Sequence, residues 1–461
     1  MARIDSDPLT GPVAATSSSD GADTAVDLTA AAEVGEVPPE LVAQSVGQYL
    51  HVWWQRVRGG ESGVLPVVLG LVIVCVGFQI ANGNFLSPQN LVNIFEQSSI
   101  YILLALAEIF ALLLGEIDLS TGLVMGLAAV VVAELVQPSG AASCALCPHG
   151  LGFPAWLAIG VTLLICAGVG LIQGTLVARV KMPSFIVTLG GWLVLEGVAL
   201  IVLNGQPVTL KNVTVPAQVQ IYNIFWGYFS PTISWVLLAV VLVIVAASWW
   251  FRDASRRHRG LVAPPPIFTA IKIAVVVVAG VVLVGLCNTN RAHFGVIEGL
   301  PYIIPIVMGV FFIWTVLLQR TRFGRYVYAI GGNPEAAGRA GVNLPSIRTW
   351  CFILASFTAG IAGVLFASWQ VFLTSNIIKS SNSYVLLAVA AAVIGGTSLF
   401  GGRGRTIHGI LGGLIIGGIY NGLYLMGVSS EWVDIFIAVV LLAAGTVDVL
   451  SRGHGGSQSR A

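Results

Sequence analysis

Three short segments hold most of the residues with which this chain could do chemistry, and in each of them polar groups and glycines interrupt apolar sequence. The first is Leu114-Gly115-Glu116-Ile117-Asp118-Leu119-Ser120, where two carboxylates and a hydroxyl stand between two apolar runs. They could hydrogen-bond a polar solute, or simply turn the chain, with Asp118 or Ser120 capping the helix that follows. The second runs from Gly395 through Gly396, Thr397 and Ser398 to Gly401-Gly402-Arg403-Gly404-Arg405. Its glycines admit backbone angles closed to other residues, and a flexible turn is the plainer reading. The third lies in a basic stretch from Gln319 to Thr349 and reads Gly331-Gly332-Asn333-Pro334-Glu335-Ala336-Ala337, then Gly341. Asn333 is placed to cap a short helix opening at Pro334, with Glu335 favourable in its first turn. A short amphipathic helix there would be a docking element; the alternative is a connecting loop.

None of the common catalytic constellations accompanies these segments. A phosphate-cradling loop needs Gly-Lys followed by Ser or Thr, but Lys181, Lys211, Lys272 and Lys379 follow Val, Leu, Ile and Ile. There is no nucleophile elbow and no His-Glu-x-x-His helix. Cys144 and Cys147 are spaced as a pair, yet lack the second pair or histidines of a zinc site, so no metal is expected. The carboxylates Glu108, Glu134 and Glu196 fall in or beside apolar runs, where an acid is a functional candidate. Glu134 is expected at an interface.

The elements that must position these segments are set by composition. The chain is 56% hydrophobic and 9% charged, whereas a water-facing domain carries about 25% charged residues. Apolar stretches of the length that crosses a bilayer, about 20 residues, recur from Val64 to Leu450. Spans are expected near Val64 to Ala81, Ser98 to Leu114, Ser120 to Val136, Pro154 to Ala178, Phe185 to Leu203 and Ile233 to Phe251. Six more lie near Ile267 to Cys287, Leu300 to Leu318, Trp350 to Val371, Tyr384 to Ile394, His408 to Met426 and Trp432 to Leu450. They lack the strict alternation of a membrane β-barrel. The fold class is therefore all-α, a polytopic transmembrane helical bundle of about 12 spans. Small-x-x-x-small spacings such as Gly409, Gly413 and Gly417 predict close helix packing.

Arg and Lys favour cytoplasmic loops. With an inside N-terminus those loops hold Arg179 and Lys181, Arg252 with Arg256, Arg257 and Arg259, the cluster from Arg320 to Arg348, and Arg403 with Arg405. Only Lys211, Arg291 and Lys379 fall outward, so both termini are expected in the cytoplasm. Residues 1–50 read as a disordered acidic tail, poor in aromatics and without the basic start of a signal peptide. Residues 51–452 form the membrane domain, with Arg56 and Arg58 flanking its first span, and residues 453–461 a short cytoplasmic tail. A net charge of +1 gives no reason to expect a nucleic-acid partner.

Several of these motifs occur together, in order, in one known family. GEIDLSTGLVMGL (Gly115 to Leu127), KMPSFIVTL (Lys181 to Leu189), FGRYVYAIGGNPEAAGRAGV (Phe323 to Val342), VIGGTSLFGGRGR (Val393 to Arg405), Asn421-Gly422 and Gly427-Val428-Ser429-Ser430 resemble the permease subunits of bacterial monosaccharide ATP-binding-cassette importers. The resemblance covers Gly63 to Ser451. Glu116, where many members have glycine, leans it to the xylose type, as does the insertion from Ile233 to Cys287. The acidic tail lies outside the family pattern.

The resemblance implies a subunit of the bacterial plasma membrane that hydrolyses nothing itself and holds no cofactor. ATP and Mg would sit on a partner ATP-binding subunit at the cytoplasmic face. A second permease copy would complete a homodimer, and an extracytoplasmic sugar-binding protein would deliver xylose or a related monosaccharide. The path is expected near Glu116, Asp118, Ser120, Pro183, Ser184, Phe185, Thr188, Gly395, Gly396, Thr397 and Ser398. The coupling loop is expected at Asn333, Pro334, Glu335, Ala336, Ala337 and Gly341. The alternative is a proton-coupled 12-span sugar carrier, which Arg322-Phe323-Gly324-Arg325 resembles faintly; the Gly-x-x-x-Asp start of that loop element is absent.

Overall fold

The computed structural model describes residues 64–138, 150–259, 265–292 and 295–455; for 443–445 and 447–455 it describes the helical backbone only. The expected tail at 1–50, Arg56, Arg58, Cys144 and Cys147 lie outside the described residues. The chain opens with α1 (Leu65–Ala81), α2 (Pro88–Leu113), α3 (Thr121–Leu135), α4 (Ala155–Ala178) and α5 (Ser184–Leu203). Strand β1 (Val208–Thr209) and α6 (Pro216–Trp226) lead to α7 (Pro231–His258), α8 (Pro266–Cys287) and α9 (Ile303–Arg320). Two short helices follow, α10 (Arg322–Gly332) and α11 (Pro334–Arg339). The last elements are α12 (Leu344–Gln370), β2 (Phe372–Leu373), α13 (Ser375–Ile394), α14 (Thr406–Leu425) and α15 (Ser430–Gly455). Among the described residues nine helices are long and apolar enough to cross a bilayer, and α1 and α3 are shorter apolar helices.

Helix starts follow local chemistry. Hydroxyl or amide side chains just before a helix accept an orphan backbone amide, often beside a proline that has no amide to leave unpaired. Ser87 Oγ accepts from Asn90 N at 3.3 Å before Pro88, and Ser230 Oγ accepts from Ile233 N at 3.4 Å before Pro231. Thr374 Oγ1 does the same for Ile377 N at 3.4 Å. That cap moves a boundary: the span expected from Tyr384 begins at Ser375. Its N-terminal half is polar and hides the helix from a hydropathy reading.

Loop contacts sort the helix ends into two groups. At one end β1 pairs antiparallel with β2, Val208 opposite Leu373, Gln137 Nε2 donates to Thr209 O at 3.2 Å, and Tyr228 bridges Pro301. At the other end Gly402 N donates to Leu113 O at 3.0 Å, Tyr328 Oη donates to Gly404 O at 2.8 Å, and Thr349 Oγ1 donates to Gly174 O at 3.2 Å. The second group carries Arg179, Lys181, the Arg320 to Arg348 cluster, Arg403 and Arg405, so it is called the basic end below.

Burial separates centre from periphery. The apolar stretch of α2 is 89% buried and that of α12 78%, whereas those of α7 and α8 are 6% and 17% buried. The inserted pair α7 and α8 therefore pack on each other at the rim, with α8 also against α2. Helix α14 lies on α2 through the predicted glycines: a Cβ at Gly409 would stand 3.1 Å from Leu106, one at Gly413 2.7 Å from Ile102 N, and one at Gly417 would meet Ser98. Any side chain at Gly413 or Gly417 would push the helices apart, where no hydrophobic drive restores them.

Candidate functional site

The polar break between α2 and α3 is a closed turn. Gly115 takes φ +75°, Asp118 Oδ1 accepts from Ser120 N at 2.9 Å, and Ser120 Oγ lies 2.6 Å from that same oxygen and 3.1 Å from Gln173 Oε1 of α4. Ser120 precedes α3 but makes no side-chain cap: its hydroxyl turns to Asp118 and Gln173 instead. Thr121 Oγ1 donates to Glu108 Oε1 at 2.6 Å and ties α3 to α2. Glu108, Asp118, Ser120 and Thr121 are all fully buried. Glu134, expected at an interface, is also buried, 4% exposed near the end of α3.

The second group of expected path residues abuts this turn. Ser184 Oγ accepts from Ile117 N at 3.4 Å, and Thr188 Oγ1 lies 3.4 Å from Ile117 O and 3.5 Å from Phe185 O. Thr188 is fully buried, Ser184 nearly so, and Phe185 is 51% exposed on the outer face of α5. Here Thr188 is packed against the break and satisfied by two carbonyls. Pro183 and Glu116 line a cavity of about 560 Å³ at the basic end, with Lys181, Leu344 and Arg348. Within it Arg348 Nη2 stands 3.8 Å from Glu116 Oε1.

The third group closes on the first from the far side. In the α13–α14 loop Gly396 N donates to Val393 O at 2.8 Å and Thr397 N to Ala392 O at 3.0 Å. Thr397 Oγ1 lies 3.5 Å from His408 Nδ1, and Ser398 Oγ accepts from Phe400 N at 3.0 Å. Gly401 and Gly402 take φ +86° and +72°. A Cβ on Gly401 would come within 2.9 Å of both Gly115 N and Gly331 O, and one on Gly331 would meet Leu113 O and Gly402 N. The break, the glycine loop and the end of α10 thus meet backbone to backbone, a contact that only glycine permits.

From that junction the chain leads directly into the expected docking element. Asn333 Oδ1 accepts from Ala336 N at 3.0 Å and caps α11, which opens at Pro334. Glu335 stands exposed in its first turn, 3.6 Å from Arg339. Ala337 is buried, and Gly341 turns the chain at φ +83° into α12. The expected residues therefore lie at the basic end, and all but Phe185, whose side chain is exposed on the outer face of α5, belong to segments that touch there. Sequence reasoning passed over the polar half of α13, where Asn376, Lys379, Ser380 and Ser383 are exposed. The signal was present as repeated serine and asparagine, but it reads as loop wherever helices are sought by hydropathy.

The family model for the permease component of branched-chain amino acid transport systems matches residues 90–257 and 267–445. The xylose transport system permease protein of Escherichia coli is 31% identical over 402 residues, 86% of this chain and 95% of that protein. Its counterpart in Haemophilus influenzae is 30% identical over 400 residues, 86% of this chain and 99% of that protein. The ribose import permease protein of Escherichia coli is 28% identical over 383 residues, 83% of this chain and 92% of that protein. No solved structure matches.

Proposed function

This chain belongs to the permease-component family of branched-chain amino acid transport systems, and we propose that it is the membrane-spanning subunit of an ATP-binding-cassette importer for a monosaccharide, xylose or a related sugar. It is a multi-pass protein of the bacterial plasma membrane and a transport subunit. The observation that carries the reading is the junction at the basic end. A capped helix on the surface, α11, is joined through Gly331 to the same backbone contacts that hold the α2–α3 break and the α13–α14 loop. A partner gripping α11 could thus displace residues deep in the bundle.

In this reading the basic end is cytoplasmic, both termini lie inside, and a separate subunit binds ATP with Mg and docks around Asn333, Pro334, Glu335, Ala336, Ala337 and Gly341. ATP binding shifts the permease between inward-open and outward-open populations by its differential affinity for the two. A second copy of the chain completes the path, and an extracytoplasmic binding protein loads it. Glu116, Asp118, Ser120, Pro183, Ser184, Phe185, Thr188 and Gly395 to Ser398 then form the inner part of the path. Asp118, Ser120, Ser184, Thr188, Gly395, Thr397 and Ser398 are buried here, while Glu116 and Pro183 line the cleft and Phe185 and Gly396 are exposed.

The test is uptake of labelled D-xylose and D-ribose by proteoliposomes holding the permease with its ATP-binding subunit and binding protein. Uptake should require ATP and be indifferent to a pH gradient. Uptake by the permease alone, driven by a pH gradient, would replace this reading with the proton-coupled carrier.

A further inference from the structure

We infer that the sugar is held, on its way through, by a polar shelf in the half of the bundle opposite the basic end, built from α13 and α5. This inference rests on the importer reading above and adds the place of contact. Helix α13 has 20 residues, about 30 Å at 1.5 Å per residue, which is the full hydrocarbon thickness. Its first half exposes Asn376, Lys379, Ser380 and Ser383 at helical spacing along one face. Lys379 alone has the reach to extend its charge to the headgroups. Ser383 lies eight residues beyond Ser375, about 12 Å below the helix end. Ser380 Oγ and Ser383 Oγ donate to Ile377 O and Ser380 O of their own helix, at 2.8 Å each, which leaves their acceptor lone pairs turned outward. With the Lys379 ammonium in the stripe and the half-buried Glu196 carboxylate beside it at the depth of Ser383, this face suits water, a solute or another polar surface better than lipid.

The neighbouring helix decides among these. The Nε1–H of Trp192 donates to Asn382 Oδ1 at 2.9 Å, and Asn382 Nδ2 donates to Glu196 Oε2 at 3.3 Å. Trp192 and Glu196 are one turn apart on α5, and all three side chains are half-buried. The pairing of β1 with β2 brings the end of α5 beside the start of α13. Glu196, seven residues before Leu203, lies about 10 Å below that end, level with Asn382 and Ser383. An indole ring, a shared amide, a carboxylate and hydroxyls at one depth are the groups that recognise a neutral polyol. The ring covers its C–H face, and the polar atoms meet its hydroxyls. Tyr384, stacked on Tyr101 with centroids 5.7 Å apart, backs the shelf. The groups at the basic end, by contrast, are mostly buried and bonded to each other, which suits a gate.

The experiment places single cysteines in a variant without native cysteines and assembles it with its partner subunits in proteoliposomes. Ser380→Cys and Ser383→Cys should react with a charged, membrane-impermeant thiol reagent. Val240→Cys, on lipid-facing α7, should not. D-Xylose presented on the binding protein should slow the reaction at position 383. Asn382→Ala and Trp192→Ala should lower D-xylose uptake about tenfold, the scale of losing one hydrogen-bond partner, with membrane level and ATP hydrolysis retained. Unreactive cysteines at 380 and 383 would make the stripe a face covered by lipid or by the second permease copy and overturn the shelf, as would full uptake by both alanine variants. Reactive cysteines in an assembly whose unaltered form imports neither xylose nor ribose would instead overturn the importer reading and leave a water-lined shelf.

Discussion

Arg348 Nη2 stands 3.8 Å from Glu116 Oε1, joining the start of α12 to the break between α2 and α3 across the cavity at the basic end. The side chains are 26% and 17% exposed, so the pair is screened less than a surface ion pair but is not sealed from water. Lys181 lines the same cavity. Glu116→Arg would leave three cations there, and Arg348→Glu would put two carboxylates face to face. Each should lower stability by about 1 kcal/mol and weaken sugar-stimulated ATP hydrolysis. The double reversal should recover most of both. Thermal unfolding in detergent and hydrolysis by the reconstituted assembly measure the cycle; strictly additive losses would show that the two residues do not communicate.

The docking helix separates folding from coupling. Asn333→Ala removes the cap on Ala336 N and should cost about 1 kcal/mol locally, loosening α11 while the bundle keeps its melting temperature. Glu335 is exposed and bonded only to Arg339 among the contacts described. Glu335→Arg should leave the permease in the membrane and abolish sugar-stimulated ATP hydrolysis, because it reverses the charge at the first turn of the surface that a partner must grip. Full stimulation in that variant would return the segment to a plain connecting loop.

Two adjacent glycines make a sharper test of the backbone junction. A Cβ on Gly331 would strike Leu113 O and Gly402 N, whereas one on Gly332 meets nothing within 4 Å. Gly331→Ala should therefore cost about 1–3 kcal/mol through forced backbone shifts and uncouple ATP hydrolysis from sugar. Gly332→Ala should match the unaltered chain in melting temperature and coupling. Equal behaviour of the two would mean that the contact is not the link between α11 and the break.

Much of this architecture is legible in the sequence, because span length and the bias of basic residues are fixed by the bilayer itself. The helix from Asn333 was legible too, since Asn-Pro-Glu states a cap, a first position and a first-turn charge in three residues. The start of α13 was not: Ser375 to Ser383 is a helix held by the Thr374 cap and by neighbours, and composition says loop. Nor was the Gly331–Gly401–Gly115 junction, whose members are far apart in sequence and meet only through tertiary packing. The turn at Asp118 was half legible. The residue types pointed to a cap, but the buried amide of Gln173 competes for the Ser120 hydroxyl, and sequence does not say which acceptor is near.

Thr188 offers the most direct reading of whether the basic end is a gate. Its hydroxyl lies between Ile117 O and Phe185 O, and no part of the residue reaches solvent. If the break and α5 separate when ATP is bound or released, that hydroxyl loses Ile117 and faces the opening. If they stay together, it remains in packing throughout, bonded to a carbonyl of its own helix. Thr188→Cys in a cysteine-free permease distinguishes the two, since a water-soluble thiol reagent reports opening directly. The side chain is close in size, so the fold should tolerate it at a cost of about 1 kcal/mol for the lost hydrogen bond. The expected result is no labelling in the conformation described here and labelling in one trapped nucleotide state. Ser383→Cys at the opposite half should show the reverse order, because alternating access does not open both halves at once. Absence of labelling at position 188 in every nucleotide state would remove Thr188 from the path and leave it a packing residue between α5 and the break.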